Sequence, residues 1–226
     1  MSELESQVLR VAAVQMSSQD DPAANLTECS RLTRDAARAG AAVVVLPENF
    51  AYFGPEGRRR ELAETLGDTS RPIQRALAEM ARESGVTVIA GGMPEKSDDP
   101  DRPYNTCVVF DGRGECVAHY RKVHLFDVDL PDGTSYRESA STAAGSEPVV
   151  IRTGGFAIGL SICYDVRFGE LYRLLSLKGA DVIVVPAAFT LNTGKDHWHV
   201  LLRARAIESQ AFVVAAGQCG KHPGGR

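Results

Sequence analysis

The sequence predicts an α/β fold with parallel strands at its centre. Two short runs of apolar and β-branched residues, at positions 8–16 and 41–46, flank a segment whose apolar residues recur at helical spacing. A strand, a helix and a second strand in this order form a βαβ unit, whose two strands run parallel. The second run is apolar throughout, which predicts a strand buried on both faces. A further apolar run, residues 156–162, stops at Cys163 and leads into another helical pattern.

Capping and turn residues mark the predicted helices. Asp21 and Pro22 offer a side-chain cap and a first-turn proline to the first helix, which Gly40 ends. In the same way, Pro72 opens a helix that closes at Gly85. Further helices are predicted at residues 57–66, 170–177 and 196–210.

The remaining strands are short apolar runs bounded by turn residues. A glycine-containing turn joins two pairs of runs into hairpins, residues 104–110 with 115–120 and 149–153 with 156–162. Single strands are predicted at residues 86–90, 181–185 and 211–216. Residues 127–145 are rich in Pro, Gly, Ser and Thr. We expect them to form a long loop, and such loops in compact domains are often functional.

Composition places the chain among ordinary globular proteins. Its 226 residues fit one large domain or two small ones, and 44% of them are hydrophobic and 24% charged. No linker or repeat divides the sequence, so we expect a single domain over residues 1–226. The formal net charge of -4 gives no electrostatic reason to expect binding to nucleic acid or to an anionic membrane.

Cysteine usage and the first residues predict a cytoplasmic protein. The five cysteines are odd in number and scattered, without a CxxC motif, which suits a reducing compartment better than a disulfide framework. Residues 1–6 are polar and acidic, unlike a signal peptide. No apolar run approaches the roughly 20 residues of a membrane-spanning helix. His197 and His199 are two positions apart on a predicted helix, so a shared metal is not expected.

Three chemically complementary side chains lie just past the ends of three predicted strands: Glu48, Lys122 and Cys163. Taken singly, each has an ordinary interpretation as a solvated loop glutamate, a surface lysine or an inert buried cysteine. Strand ends are, however, where α/β folds bind their ligands. If these strands share one rim, the three side chains meet there.

This combination suits a cysteine hydrolase. A thiol nucleophile needs a base within hydrogen-bonding reach, a role that Glu48 can take. A tetrahedral oxyanion needs a positively charged donor, which Lys122 can supply. Lys122 and a helix N-terminus after the cysteine both favour the thiolate. We therefore expect Cys163 to be the most reactive of the five thiols.

Three segments resemble the signatures of the nitrilase, or carbon–nitrogen hydrolase, superfamily. They are LPEN at residues 46–49, YRKVHLF at 120–126 and SICYDVRF at 161–168, in the order that the family has them. The resemblance implies a four-layer α-β-β-α sandwich with a catalytic triad of Glu48, Lys122 and Cys163. It also implies a second catalytic glutamate before the cysteine strand, a position that Glu138 matches. It implies neither a cofactor nor a metal.

The resemblance extends to two branches of the superfamily, the deaminated glutathione amidases and the ω-amidases. AFTLNTG at residues 188–194 resembles both, whereas LLRARAIE at 201–208 and AAGQCGKH at 215–222 are closer to the first. The expected reaction is hydrolysis of a small carboxylate-bearing amide to acid and ammonia through a cysteine thioester. The alternatives are an ω-amidase or another small-amide hydrolase, and a catalytically silent interaction module.

The resemblance also suggests which residues contact the substrate. The expected contacts are Tyr164, whose backbone N–H would help to hold the oxyanion, Arg167, Phe189 and Thr190. Arginine pairs bidentately with carboxylates, so Arg167 is the expected carboxylate contact. A structural ion pair is the alternative role for this arginine.

The end of the sequence departs from the family pattern. Members of the superfamily continue past the equivalent of Gly220 with further strands of the second sheet, whereas this sequence stops at Arg226. From the resemblance we expect C-terminal strands to be missing, either because the sequence is a fragment or because the second sheet is short.

The helix predicted at residues 196–210 carries more apolar residues than one sheet-facing stripe needs. Members of the superfamily pair through helices of this region, so we expect a homodimer or a higher homo-oligomer. The expected ion pairs across that interface join Arg203 or Arg205 to a carboxylate of the partner, Glu170 or Glu208. The alternative is a thick helix–sheet core within one chain.

Overall fold

The computed structural model describes residues 8–129 and 133–223. The expectations about residues 1–6 and about the last residues, 224–226, lie outside this part of the chain. The helices are α1 (Pro22–Arg38), α2 (Glu56–Glu61), α3 (Pro72–Ser84), α4 (Gly169–Leu177) and α5 (Leu191–Ser209). The strands are β1 (Val11–Ala13), β2 (Val43–Leu46), β3 (Thr87–Glu95), β4 (Tyr104–Phe110), β5 (Cys116–Arg121), β6 (Asp127–Asp129), β7 (Ser135–Arg137), β8 (Val150–Thr153), β9 (Phe156–Leu160), β10 (Val182–Val184) and β11 (Phe212–Val214).

The strands form two main sheets. The first has the order β1-β2-β3-β4-β5, in which β1, β2 and β3 are parallel and β4 and β5 are antiparallel. The second has the order β11-β10-β9-β8, in which only β8 is antiparallel to its neighbour. The βαβ unit and both hairpins predicted from the sequence are confirmed.

Alternation along the central strands assigns the layers. In β2, Val43 and Val45 pack with residues of the second sheet such as Ile158, whereas Val44 packs with α1 and α3 around Leu77. This period of two is the geometry of a strand buried on both faces. On the outer side of the second sheet, α4 packs directly on β9. The resulting order of layers is α-β-β-α, as the resemblance implied.

Several boundaries differ from the sequence prediction. Strand β3 does not end at Gly91 but continues to Glu95, with a bulge between Ala90 and Met93. The expected long loop at residues 127–145 contains the small hairpin β6–β7 and a 3₁₀ turn that starts at Glu138. Helix α5 begins at Leu191, five residues earlier than expected. The hairpin β6–β7 was not predicted because its strands are only three residues long and lie in a segment of polar, loop-like composition.

Candidate active site

The ends of three strands bring Glu48, Lys122 and Cys163 together. Glu48 follows β2, Lys122 follows β5, and Cys163 lies three residues after β9. All three side chains are buried, with relative exposures of 4%, 2% and 8%. The three side chains therefore lie together at one edge of the sheets, as expected.

Cys163 occupies a strained turn between β9 and α4. Its φ of 48° lies in the left-handed region, which costs a non-glycine residue about 1–3 kcal/mol and recurs at functional sites. Residues Cys163–Arg167 form a 3₁₀ turn, and α4 begins only at Gly169. Cys163 therefore does not lie at the N-terminus of an α-helix, and this part of the argument for a thiolate is wrong.

A buried aspartate holds the turn in place. Asp165 accepts hydrogen bonds from the Tyr120 hydroxyl at 2.7 Å, the Ile162 backbone N–H at 2.8 Å and the His124 backbone N–H at 3.0 Å. It also contacts the His124 ring nitrogen Nδ1 at 2.8 Å. The Cys163 backbone N–H donates to the Pro186 carbonyl at 2.8 Å. Asp165 thus ties the cysteine turn to the segment that carries Lys122.

Each oxygen of the Glu48 carboxylate has its own partners. Oε1 accepts from Lys122 Nζ and from Asn105 Nδ2, each at 3.0 Å, and Oε2 accepts from the Ala188 backbone N–H at 2.9 Å. The backbone of Gly92 lies close to Glu48 and Asn49. A Cβ at this position would lie 3.0 Å from Glu48 Cγ and 2.5 Å from the Asn49 nitrogen. Its φ of 82° also requires glycine. The bulge in β3 therefore makes room for the carboxylate.

Lys122 bridges two carboxylates. Its Nζ donates to Glu138 Oε2 at 2.9 Å and Oε1 at 3.1 Å, as well as to Glu48. Burial alone would lower the pKa of Lys122, but the charges of Glu138 and Glu48 raise it overall. Burial alone would raise the pKa of Glu138, yet Lys122 lowers it overall. The lysine is therefore an ammonium and Glu138 a carboxylate at neutral pH.

The electrostatics of Cys163 differ from the sequence expectation. Burial and the negative charge of Glu48 raise the pKa of its thiol well above the usual value, and Lys122 opposes this shift only in part. The hydrogen bond to Glu48 raises the pKa further. The resting side chain is therefore a thiol beside a carboxylate, and only the sign of the Lys122 contribution matches the prediction. Cys219 is exposed, whereas Cys163 is reached through the cavity that it lines, so an alkylating reagent can meet both thiols. That Cys163 is the most reactive thiol stays a prediction.

Asn105 is a residue that the sequence reasoning missed. Its Nδ2 donates to Glu48 Oε1 at 3.0 Å and to Glu138 Oε1 at 3.2 Å, so one amide joins both carboxylates. Its side chain is buried in β4, and its backbone carbonyl accepts from the Lys122 N–H at 2.8 Å. The only signal in the sequence was a polar residue inside an apolar strand.

The cluster opens into a cavity of about 570 Å³. Tyr164, Phe189 and Thr190, three of the four expected substrate contacts, line it. Arg167 is not among the lining residues. Its guanidinium lies 5.8 Å from the Tyr164 ring centre and 5.4 Å from that of Phe189, and it contacts His197 at 3.2 Å. Arg167 therefore contacts two cavity-lining aromatic residues without lining the cavity itself.

The described residues contain no cluster of three or more His, Cys, Asp or Glu side chains that could hold a metal ion. Among the same residues, no helix is long and apolar enough to cross a membrane.

A family profile described as carbon-nitrogen hydrolase matches residues 10–226. The chain belongs to the carbon–nitrogen hydrolase family. Proteins named deaminated glutathione amidase are similar to this family member over most of its length. The protein of Synechocystis sp. (strain PCC 6803 / GT-S) is 48% identical over 93% of this chain and 78% of its own length. The human protein is 43% identical over 94% of this chain and 65% of its own.

Solved structures of the nitrilase superfamily confirm the fold of this carbon–nitrogen hydrolase. The NitFhit protein of C. elegans superposes with a TM-score of 0.86 at 37% identity; the match covers 95% of this chain and 53% of the worm chain. A variant of the amidase from Nesterenkonia sp. AN1, in which acrylamide has added to the active-site cysteine, superposes with a TM-score of 0.79 at 26% identity, covering 95% of this chain and 80% of the amidase. This chain thus spans about half of the worm chain and most of the amidase.

Proposed function

We propose that this carbon–nitrogen hydrolase cleaves a small carboxylate-bearing amide, with Cys163 as the nucleophile. The proposal rests mainly on the contacts of Glu48. This buried carboxylate is hydrogen-bonded both to the Cys163 thiol and to Lys122. A protonated thiol beside a carboxylate is the arrangement that general-base activation requires.

The proposed first half-reaction forms a thioester. Glu48 takes the proton of Cys163 as the sulfur attacks the amide carbonyl. Lys122 Nζ and the Tyr164 backbone N–H, in the first turn after the cysteine, donate to the oxyanion. Of the contacts of Lys122, the one to Glu138 Oε1 at 3.1 Å is the longest, and the oxyanion would replace it. The protonated Glu48 then gives its proton to the departing nitrogen as the C–N bond breaks.

The second half-reaction reverses these roles. Glu48 deprotonates a water that attacks the thioester carbonyl, and Lys122 again holds the oxyanion. When the C–S bond breaks, the sulfur leaves as thiolate and Glu48 returns the proton to it. Glu138 does not touch the reacting atoms in this scheme. It stabilises the ammonium form of Lys122 and orients it toward the oxyanion. Its own Oε2 accepts a hydrogen bond from the Phe126 backbone N–H at 2.7 Å.

Deaminated glutathione is the proposed substrate, because similar proteins with 48% and 43% identity bear the name deaminated glutathione amidase. The runner-up is 2-oxoglutaramate, the substrate of ω-amidases. The two compounds differ in the nitrogen that leaves. The first has only secondary amides and releases an amine, so the expected release of ammonia does not hold for it. The second is a primary amide and releases ammonia.

The test is turnover of both compounds by the purified chain and by Cys163→Ala, followed by formation of the carboxylate product and of ammonia. We expect hydrolysis of deaminated glutathione at the higher kcat/KM, and none above background in the variant. Cys219→Ala, which removes an exposed thiol, is the matched control and should retain full activity. Failure of the wild-type chain to hydrolyse any amide of a broader panel would favour the silent interaction module.

We propose that the enzyme is a homodimer, because exposed apolar side chains gather on α4, α5 and β11. Helices α4 and α5 pack on each other, and α5 packs on β11. The exposed large apolar residues of these elements are Leu174, Leu177, Leu191, Val200, Ile207 and Phe212. A contiguous apolar surface of this kind usually marks an interface.

The structure changes which arginine is suited to test this dimer. Arg205 is buried, donates from Nε to the Val166 carbonyl at 2.8 Å and pairs with Glu208 of its own chain. The expected pairing of Arg205 with a partner carboxylate is thus replaced by an internal contact, and Arg205→Glu would disrupt the fold itself. Arg203 remains exposed.

Ile207→Glu is therefore the better variant. We expect it to shift the chain toward monomer in sedimentation at micromolar concentration, because a charge at a buried apolar contact is strongly unfavourable. Val117→Glu, at an exposed apolar position of β5, is the control and should not change the sedimentation. An active wild-type monomer at these concentrations would contradict the proposal.

The proposed compartment is the cytoplasm. All five cysteines are free, and Cys29, Cys107, Cys116 and Cys163 are buried or half-buried, each without a disulfide partner among the described residues. A chain with so many unpaired thiols suits a reducing environment.

A further inference from the structure

One buried cation on the cavity wall has no ion-pair partner among the described residues, and Glu138 interacts with it only through the charge–charge attraction that helps to lower the pKa of Glu138. Arg59 of α2 lines the cavity that also contains Lys122 and Cys163, and its relative exposure is 8%. Its Nη1 donates to Thr142 Oγ1 at 2.9 Å. Its Nη2 is buried and finds no acceptor, and none of the ion pairs among the described residues includes Arg59.

This arrangement is costly unless a ligand completes it. Arginine is almost never fully buried without a partner, and a buried N–H without an acceptor costs about 1–3 kcal/mol. The guanidinium cannot relieve the cost by losing its proton. The neighbours of Arg59 show the ordinary alternative, since Arg58 and Arg60 are exposed and Arg60 pairs with Asp101 at 2.7 Å.

The other lysine and arginine side chains of the cavity wall are already engaged. Lys122 contacts Glu48 and Glu138. Arg137 pairs with Asp129 at 2.7 Å. Within the described residues, Arg59 is thus the cavity-lining arginine or lysine without a carboxylate.

We propose that Arg59 binds the carboxylate of the substrate at the end remote from the scissile amide. The proposal rests on the amide hydrolysis proposed above. Thr142 holds Nη1, which leaves the Nε and Nη2 edge of the guanidinium for a bidentate contact of the kind that arginine makes with carboxylates.

The placement of Arg59 also selects the kind of amide. Among the described residues, Arg59 donates to Thr142, whereas Glu48 accepts from Lys122, so the proposed carboxylate contact is a separate contact point from the reacting groups. Thr142 follows the 3₁₀ turn Glu138–Ala140, so Arg59 is anchored to the segment that holds Glu138. The substrate class that fits this proposal is an ω-amide of a dicarboxylic acid, which carries its carboxylate at the end opposite the amide.

The test compares glutaramate with its uncharged methyl ester, using ammonia release as the measurement. Arg59→Gln is expected to lower kcat/KM for glutaramate by about 10- to 100-fold, mainly through KM, because it removes a charge-assisted contact. Turnover of the methyl ester should change by less than about threefold. Arg58→Gln, an exposed neighbour, is the matched control and should leave both substrates unaffected. An equal loss on both substrates would overturn the proposal.

Binding of glutarate, measured by calorimetry, separates this proposal from the proposed reaction. If the wild-type chain releases no ammonia from glutaramate but binds glutarate, and Arg59→Gln abolishes that binding, the carboxylate site stands while the reaction fails. If both proteins bind glutarate equally, the site fails whatever the turnover. Arg59→Lys keeps the charge but loses the planar fork, so it should lie between the other two; it takes the place of Arg59→Gln if the glutamine variant does not fold.

Discussion

Glu48→Gln is expected to lower kcat by at least about 100-fold while the chain stays folded. The amide cannot take the proton of Cys163, and general-base catalysis typically contributes 10²- to 10⁴-fold. Its oxygen can still accept from Lys122 and Asn105, but its nitrogen then meets the Ala188 N–H, a donor facing a donor. We therefore also expect a modest loss of stability, measured by urea unfolding. Glu147→Gln, at an exposed glutamate, is the control for both measurements.

The pH dependence of alkylation gives an independent readout of the same variant. The charge of Glu48 and its hydrogen bond both raise the pKa of Cys163, so removing the charge must lower that pKa. Glu48→Gln should therefore lose turnover but react with acrylamide at Cys163 from a lower pH than the wild-type chain does. Peptide mass spectrometry separates this cysteine from the exposed Cys219. Near-normal turnover, or an unchanged alkylation profile, would remove Glu48 from the role of base.

The sequence was informative where one residue type and one local pattern decide the structure. Asp21 caps α1, as predicted, through hydrogen bonds from the Ala23 and Ala24 N–H groups. Gly85 ends α3 in the left-handed conformation that glycine favours. Glu48, Lys122 and Cys163 could be found because each follows an apolar run at a strand end, and three family signatures surround them.

What the sequence could not supply depends on contacts between distant segments. Asn105 and Glu138 are 33 residues apart, and the hydrogen bond between them follows only from the packing of β4 against the residues after β7. The raised pKa of Cys163 has the same origin. Its sign depends on how burial and Glu48 together outweigh Lys122, and burial is a property of the folded chain. Lys122 and the expected helix N-terminus, considered without burial and Glu48, gave the opposite expectation.

The two arginines of the cavity region illustrate the same limit. Arg167 was the expected carboxylate contact because arginine pairs with carboxylates, yet it contacts Tyr164 and Phe189 and does not line the cavity. Arg59 belongs to a run of three arginines, and no local pattern says which of them turns inward. Only the burial of its side chain distinguishes it from Arg58 and Arg60.

Lys122→Ala is expected to reduce both turnover and stability. Without the ammonium the oxyanion loses its charged donor, a change that typically lowers kcat by about 100- to 1,000-fold. The structure adds that Glu48 and Glu138 would remain buried beside each other without their cation. Breaking a buried ion pair in this way costs about 3–5 kcal/mol, so the urea midpoint should fall clearly, in contrast to the small change expected for Glu48→Gln.

The pH dependence of that loss follows from Glu138. In the wild-type chain Lys122 lowers the pKa of Glu138, so this carboxylate contributes stability that is present above its unfolded pKa and is lost as the pH falls through the lower folded value. Without Lys122 the largest influence opposing burial is gone, so the folded pKa of Glu138 rises and this contribution to stability shrinks. The stability gap between wild type and Lys122→Ala should therefore widen from about pH 4 to pH 7.

A double variant separates the two functions of the lysine. Lys122→Ala combined with Glu138→Gln removes one of the two stranded carboxylates, so it should recover part of the lost stability and flatten the dependence on pH. It should not recover turnover, because the donor to the oxyanion is still missing. Glu138→Gln alone should lower kcat less than Lys122→Ala does, since Glu138 acts by aiming the ammonium and Glu48 still holds it at 3.0 Å. If the double variant regained activity along with stability, Lys122 would be a structural partner of the glutamates and not the oxyanion donor.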